Sequence, residues 1–254
     1  FTVTAPNSNT DRTITLPDGT GTLAFTTGDD DKLPLSGGTM TGAIVLGTNT
    51  VGGLQITTTA TSNIGLGANA VDSITTGDYN VGLGDSALTA NTTGSYGTGI
   101  GQGALTANTT GEYNTAVGRN ALAANTTASH NTSVGTNSLD ANTTGEYNTA
   151  LGKNALGANT TAAYNTAVGG LSLAVNTTGH SNTALGMNSL ASNTTGNYNT
   201  ASGYAALYAN TTASSNTAFG RRALYNTTTG ANNTAVGAES LDANTTGANN
   251  SAVG

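Results

Sequence analysis

The chain of 254 residues has no cysteine, no tryptophan and three prolines, and only 7% of its residues are charged. Without cysteine there is no disulfide framework, no thiolate metal ligand and no cysteine nucleophile. Six lysines and arginines within a net charge of −7 exclude a basic nucleic-acid-binding module. No segment approaches the ~18 consecutive apolar residues of a transmembrane helix, so we expect no membrane insertion.

The main feature of the sequence is an internal repeat of 17 residues, N-T-A-V-G-x-x-A-L-x-A-N-T-T-G-x-Y, of which Asn114 to His130 is one copy. A fixed period indicates a solenoid or array architecture. A glycine occupies every seventeenth position from Gly67 to Gly254, so the phase is kept over eleven steps. A chain of merely low complexity would not keep its phase in this way.

The repeat predicts β structure. Seventeen residues are too few for a helical hairpin repeat, which needs about 33 or more. Thr, Val and Tyr favour strands, whereas the Asn-Thr-Thr-Gly and Val-Gly segments interrupt them, so we expect two short strands and two turns per coil. Stacked coils would pair equivalent strands in parallel, which predicts an all-β fold, a parallel β-solenoid or β-roll of 17-residue coils. At about 4.8 Å per coil, eleven coils make a rod of roughly 53 Å.

Each repeat position forms a column along this solenoid. We expect the leucine column and the aliphatic column of Val117 to point inward, and the glycine column to occupy tight corners. The predicted core leucines are Leu88, Leu105, Leu122, Leu139, Leu156, Leu173, Leu190, Leu207, Leu224 and Leu241. The predicted corner glycines are Gly84, Gly101, Gly118, Gly135, Gly152, Gly169, Gly186, Gly203, Gly220 and Gly237.

Three polar columns, one of asparagine and two of threonine, follow the leucines. The asparagine column from Asn91 to Asn244, interrupted only by Thr227, is expected to form a ladder of side-chain hydrogen bonds. Of each Thr-Thr pair that follows it, one side chain is expected to point inward and the other outward.

An aromatic column has two interpretations. It is either an exposed stripe that stacks on sugars or surface polymers, or a packing ladder at a corner or chain interface, and we expect the ladder. His130 lies in the same column, and serine or asparagine replaces tyrosine towards the C-terminus. The tyrosines of this column are Tyr79, Tyr96, Tyr113, Tyr147, Tyr164 and Tyr198.

No pattern predicts an enzyme, a cofactor or a metal site. His130 and His180 lie in different columns without a recurring carboxylate, so we expect solvated turn residues. No Ser-His-Asp or paired-carboxylate arrangement is present. Arg221-Arg222 is expected in a surface turn. Calcium binding is a minor alternative for the aspartates near the first coil, although the glycine–aspartate calcium-roll motif is absent. These aspartates are Asp72, Asp78 and Asp85.

The apolar content per coil is low, and the alanines offer small flat surfaces. We therefore expect chains to associate around the solenoid axis, in a predicted homotrimer.

The chain divides into a β segment at 1–33 that ends in the acidic loop Asp29-Asp30-Asp31, a connector at 34–62 and the solenoid at 63–254. The first coil is irregular, as a cap would be. Because the last coil is in full register, we expect a longer parent protein.

The segment from Leu33 to Ile44, L-P-L-S-G-G-T-M-T-G-A-I, resembles a motif of bacteriophage tail-fibre proteins. It covers about twelve residues, and residues 13–23 resemble short β segments upstream of it in such fibres. The resemblance implies a structural fibre shaft on the virion that is attached to other tail proteins. A tip beyond this chain would then contact the host-cell receptor.

The repeat from Asn114 to Gly118, followed by Ala121, resembles the N-S-V-A-I-G-x-x-A repeat of trimeric autotransporter adhesin heads. Those heads are left-handed parallel β-rolls of three chains. The 17-residue period and the additional Asn-Thr-Thr-Gly turn depart from that family. This resemblance implies a homotrimer and, as the alternative function, a bacterial surface adhesin or extracellular filament. A third and minor alternative is an ice-binding solenoid, which the adjacent threonines disfavour because neighbouring residues face opposite sides.

Overall fold

A computed structural model describes residues 62–254, which form an all-β parallel solenoid of about 11 turns and confirm the predicted fold class. Twelve strands, β1 to β12, form one sheet in chain order. They are Ile64–Leu66, Val81–Leu83, Thr98–Ile100, Thr115–Val117, Thr132–Val134, Thr149–Leu151, Thr166–Val168, Thr183–Leu185, Thr200–Ser202, Thr217–Phe219, Thr234–Val236 and Ser251–Val253. The β segment at 1–33, the Leu33-to-Ile44 motif and almost all of the connector lie outside the described residues.

Each described coil contains one strand of three residues, so the prediction of two strands per coil is wrong. Several residues of each coil have the positive φ of left-handed backbone, which leaves no extended segment long enough for a second strand. In the coil that begins with Thr149–Leu151, φ is 141° at Gly152, 55° at Asn154, 52° at Leu156 and 62° at Tyr164. Each positive φ turns the chain sharply, and non-glycine residues adopt this conformation only where the surrounding packing requires it.

The core is formed by leucine and alanine. The nine leucines from Leu88 to Leu224 are fully buried, and Leu241 in the last coil is half-buried. The alanine at the middle of the strand, such as Ala150, is also fully buried. Side chains alternate along a strand, so an inward alanine sends the residues on either side of it outward.

The expectation that the Val117 column points inward is therefore wrong. Leu151 is 46% exposed and Phe219 is 53% exposed, and the other members of this column are likewise at the surface or half-buried. A 17-residue coil has room for one large side chain between small ones. Leucine from the turn fills that room, and alanine from the strand lines it.

Two buried serines, Ser133 and Ser138, replace alanine in neighbouring core columns and bond to each other. Ser133 stands where most coils have alanine in the strand, and it is fully buried. Its hydroxyl donates to the backbone carbonyl of Ser138 at 2.8 Å and contacts the Ser138 hydroxyl. Buried hydroxyls are tolerated where they are hydrogen-bonded, and here the partner stands in the adjacent alanine column.

The corner glycines are required by both backbone conformation and space. Gly152 has φ of 141°, and a Cβ there would lie 2.6 Å from the carbonyl of Gly169 in the next coil. No side chain fits such an approach, because real Cβ atoms stay beyond 3.0 Å from other heavy atoms. The corners therefore stack backbone directly on backbone.

Two buried asparagine ladders connect the coils. In the predicted ladder, Asn108 Nδ2 donates to Asn91 Oδ1 at 2.9 Å and to the Gly111 carbonyl at 3.0 Å, and the pattern repeats as far as Asn210. A second ladder, which the sequence analysis did not identify, runs from Asn63 to Asn250. Its signal was equally regular, with asparagine in this column of every coil but one.

In the second ladder, the side-chain amide of each asparagine forms hydrogen bonds with backbone groups of the next coil. Asn148 Oδ1 accepts the backbone N–H of Asn165 at 3.0 Å, and Asn148 Nδ2 donates to the Ala162 carbonyl at 2.8 Å. Both asparagines are fully buried. Buried amides stabilise a fold only when their hydrogen bonds are made, and the repeat makes them coil after coil.

The threonine pairs do not contribute to the core, so the expectation that one of each pair points inward is wrong. Thr143 is half-buried, and its hydroxyl donates to the Thr160 carbonyl at 3.0 Å. Thr144 is exposed. The interior next to these threonines is occupied by the asparagine ladders.

Candidate functional site

The aromatic column forms a continuous stack along the surface from Tyr79 to Tyr164, with His130 as one of its rings. Neighbouring ring centroids are 4.8–5.3 Å apart, and the ring planes diverge by at most 14°. One ring per coil matches the spacing of adjacent strands. Each inner ring is covered on both faces by its neighbours, so the geometry is that of a packing ladder, and the inner rings offer a ligand only their edges.

The stack ends where Ser181 replaces tyrosine. Tyr198 stands apart and meets His180 edge to face, with centroids 4.9 Å apart and planes at 88°. His180 Nδ1 lies 3.2 Å from the Ser181 hydroxyl. His130 is exposed at a bend, as expected of a solvated turn residue, and it is also one of the rings of the stack.

Within residues 62–254 no three histidine or carboxylate side chains are grouped to hold a metal. Asp85 instead accepts a hydrogen bond from the backbone N–H of Ala68 at 3.0 Å, and Asp72 accepts one from the Ser73 hydroxyl.

The pKa of Asp140 is raised, because the effect of burial exceeds that of the hydrogen bonds from its own backbone N–H and that of Ala141, which lower it. Residues 62–254 contain no helix able to cross a bilayer. The acidic loop Asp29-Asp30-Asp31 lies outside the described residues.

One surface groove stands out because its residues depart from the repeat. Its volume is about 270 Å³. Aromatic side chains occur here outside the tyrosine column, together with one arginine of the Arg221-Arg222 doublet. The groove is lined by Asn188, Tyr204, Ala205, Tyr208, Arg222 and Tyr225.

Aromatic rings and arginine pack together in this groove. Tyr208 and Tyr225, one coil apart, stack with centroids 5.2 Å apart and planes within 9°. The guanidinium carbon of Arg222 lies 4.4 Å from the centroid of Tyr225, in cation–π range. Tyr204 is 48% exposed and stacks on no other ring in the described part of the chain.

The charges around the groove are incompletely paired. Arg221 Nη2 lies 2.8 Å from Glu239 Oε1, whereas Arg222 Nη1 lies 4.0 Å from the same oxygen. Arg222 Nε is buried and has no hydrogen-bond partner. One carboxylate thus faces two guanidinium groups. Asp242 follows Tyr225 in its column and forms no ion pair with either arginine in the described structure.

The sequence predicts a surface turn for the arginine doublet and no association with these tyrosines. Their signal was a departure from the repeat, since Tyr208 and Tyr225 occupy a column that elsewhere holds only small or short polar residues. A second groove of about 240 Å³ is lined by Lys153, Asn154, Gly170, Leu171 and Met187. The side chains that line these two grooves include no nucleophile paired with a base.

Comparisons of the chain with protein-family models, curated proteins and solved structures found no match.

Proposed function

We propose that this chain is a structural shaft segment of a bacteriophage tail fibre, located on the virion, that takes part in host-cell attachment without catalysis. The observation that carries the proposal is the unbroken register of twelve parallel strands, in which each residue of a strand pairs with the residue 17 positions further along. The resemblance of the Leu33-to-Ile44 segment to tail-fibre proteins supports the same function.

The shaft acts through its geometry. Each coil adds about 4.8 Å of length, so the number of coils sets the reach. Backbone bonds and two buried amide ladders connect neighbouring coils, and bending the rod would break bonds in several columns together. The shaft would thereby hold a receptor-binding tip at a defined distance from the particle, next to other tail proteins.

The outer face of the sheet supports self-association as a homotrimer. Of the two columns that face outward from the strands, the column of Val117 is apolar in eleven of twelve coils, with Ser202 as the exception, and the other column is threonine in nine. The exposed members of the apolar column include Leu66, Ile100, Leu151, Leu185, Phe219 and Val236. A face roughly 53 Å long needs a width of only about 15 Å to reach the ~800 Å² per partner of a stable interface. The three residues of a strand span about 10 Å, and the flanking turns supply the remainder. Three copies would also combine weak surface contacts into avidity.

The homotrimer is tested by sedimentation equilibrium. We expect a mass of three times 24.8 kDa for the chain. Leu151→Lys, on the outward face, should shift the protein to the monomer. Thr161→Lys, an exposed residue in the same coil away from the sheet, should leave the trimer intact. A monomeric wild-type chain would refute the trimer.

The function is tested by peptide mass spectrometry on purified virions beside washed, uninfected host cells. Peptides of this chain found only in virions would support the tail-fibre shaft. Peptides found only on the cells would refute it and favour the alternative, a trimeric surface adhesin or extracellular filament, which the repeat resembles.

A further inference from the structure

We propose that the groove at Arg222 binds a carboxylate-bearing sugar ring, such as a uronic acid unit of a surface polysaccharide. The proposal concerns a ligand site on the solenoid itself. It does not depend on whether the solenoid belongs to a phage fibre or to a bacterial adhesin.

The first argument is the local loss of the repeat. A solenoid needs the same residue types in its structural columns, so the fold does not explain clustered departures at surface positions. The column of Tyr208 and Tyr225 otherwise contains only Ala, Gly, Thr and Asp, and Arg222 is the only arginine in its column. These departures lie in adjacent coils and line one groove.

The second argument is the unused hydrogen-bonding capacity of Arg222. Glu239 is already paired with Arg221 at 2.8 Å, and its distance of 4.0 Å from Arg222 leaves that guanidinium loosely held. Arg222 Nε has no partner, although buried donors normally have one. A ligand carboxylate that drew the guanidinium into the groove would accept Nε–H and Nη–H together, in the fork geometry that arginine prefers.

The third argument concerns the remaining lining. Tyr204 and Tyr208 present partly exposed rings, which suit the apolar C–H face of a sugar. The Asn188 amide and the tyrosine hydroxyls can donate to and accept from sugar hydroxyls. About 270 Å³ is just below the ~300–1,000 Å³ of sites for drug-sized ligands, so the groove accommodates one or two rings.

The charge balance favours one negative charge per ligand unit. Arg221, Arg222 and Glu239 together carry one net positive charge, and Asp242 lies one coil further on in the column of Tyr208 and Tyr225. A densely charged polyanion such as nucleic acid would need several clustered cations, and the whole chain has only six. A uronate carries a single carboxylate on an otherwise neutral ring.

The test is a titration of the purified chain with trigalacturonate, a glucuronate-containing hyaluronan tetrasaccharide and sialyllactose, each beside its methyl ester. We expect at least one acid to bind in the millimolar range or tighter, and its uncharged ester to bind at least about tenfold more weakly. Arg222→Gln should weaken binding of the acid by about tenfold or more, and Tyr208→Ala by roughly three- to tenfold.

Arg119→Gln is the matched control, because it removes the same charge from the column of Arg221, six coils earlier. It should leave binding unchanged. Arg222→Lys keeps the charge but loses the fork, so an intermediate loss is expected. The proposal is overturned if none of the three acids binds at up to about 10 mM, if the esters bind equally well, or if Arg119→Gln weakens binding as much as Arg222→Gln.

Discussion

Thr227→Asn should stabilise the solenoid by completing the asparagine ladder. From Asn91 to Asn210, each Oδ1 but the last accepts Nδ2 of the next asparagine, at 2.7–3.1 Å. Thr227 has no amide to donate, and the buried Oδ1 of Asn210 is left without a partner. An asparagine at position 227 would supply that donor and could also reach the Gly230 carbonyl, as its equivalents do three residues on.

The expected gain follows from the bonds exchanged. A buried acceptor without a partner costs about 1–3 kcal/mol, and the substitution would remove that cost. It would also lose the hydrogen bond from the Thr227 hydroxyl to the Asn244 carbonyl, 3.0 Å long, at a net cost of about 0.5–1.5 kcal/mol. The net stabilisation should be about 1 kcal/mol.

Two measurements check this. For a unit of this size, about 1 kcal/mol raises Tm by about 2–4 °C. Because coils open locally, hydrogen exchange should slow most in the amides between Asn210 and Asn244. Thr229→Asn, an exposed position in the same coil, is the control and should change neither quantity. Equal effects of the two substitutions, or a destabilised Thr227→Asn, would refute the reasoning.

Three further perturbations test the core, the corners and the carboxyl of Asp140. Leu156→Ala should cost about 2–5 kcal/mol of unfolding free energy in urea melts, and Leu241→Ala, at a half-buried site, clearly less. Gly152→Ala should destabilise the fold by more than about 1 kcal/mol, whereas Gly170→Ala, where the nearest atom to a Cβ is 3.9 Å away, should be tolerated in a thermal melt. The raised pKa of Asp140 means that its contribution to stability falls as pH rises from its usual 3.8 through the higher folded-state value. Asp140→Asn should therefore be slightly more stable than wild type at pH 7 and equal to it near pH 2, by urea melts at both values; a gain that persisted at the lower pH would contradict this.

The fold could be predicted because the repeat restricts the alternatives. Seventeen residues per period excluded helical repeats, and the fixed phase required each coil to stack on its equivalent. The corner at Gly118 and the ladder at Asn125 could be predicted from residue type. Glycine at every seventeenth position indicates a turn that excludes side chains, and asparagine at every seventeenth position indicates side-chain hydrogen bonds between coils. The second ladder, which includes Asn114, was equally visible in the sequence but was not predicted.

The error at Val117 has a physical origin. Valine and leucine are both apolar, and hydrophobicity alone places both inside. Ala116 lies between Thr115 and Val117, and neighbouring residues of a strand face opposite sides. Either the alanine or its two neighbours must therefore point inward, and only the alanine leaves room for Leu122. The outward aliphatic column is the surface of the proposed trimer contact.

The sequence by itself determined the period, the parallel stacking of coils and the columns that repeat, because these depend only on identical residues at equal spacing. The tertiary structure alone decided which apolar column is buried, that the rings from Tyr79 to Tyr164 cover each other's faces, and that Arg222 meets Tyr208 and Tyr225 in one groove. These features depend on side-chain directions, which left-handed turns within each coil set and which no spacing in the sequence records.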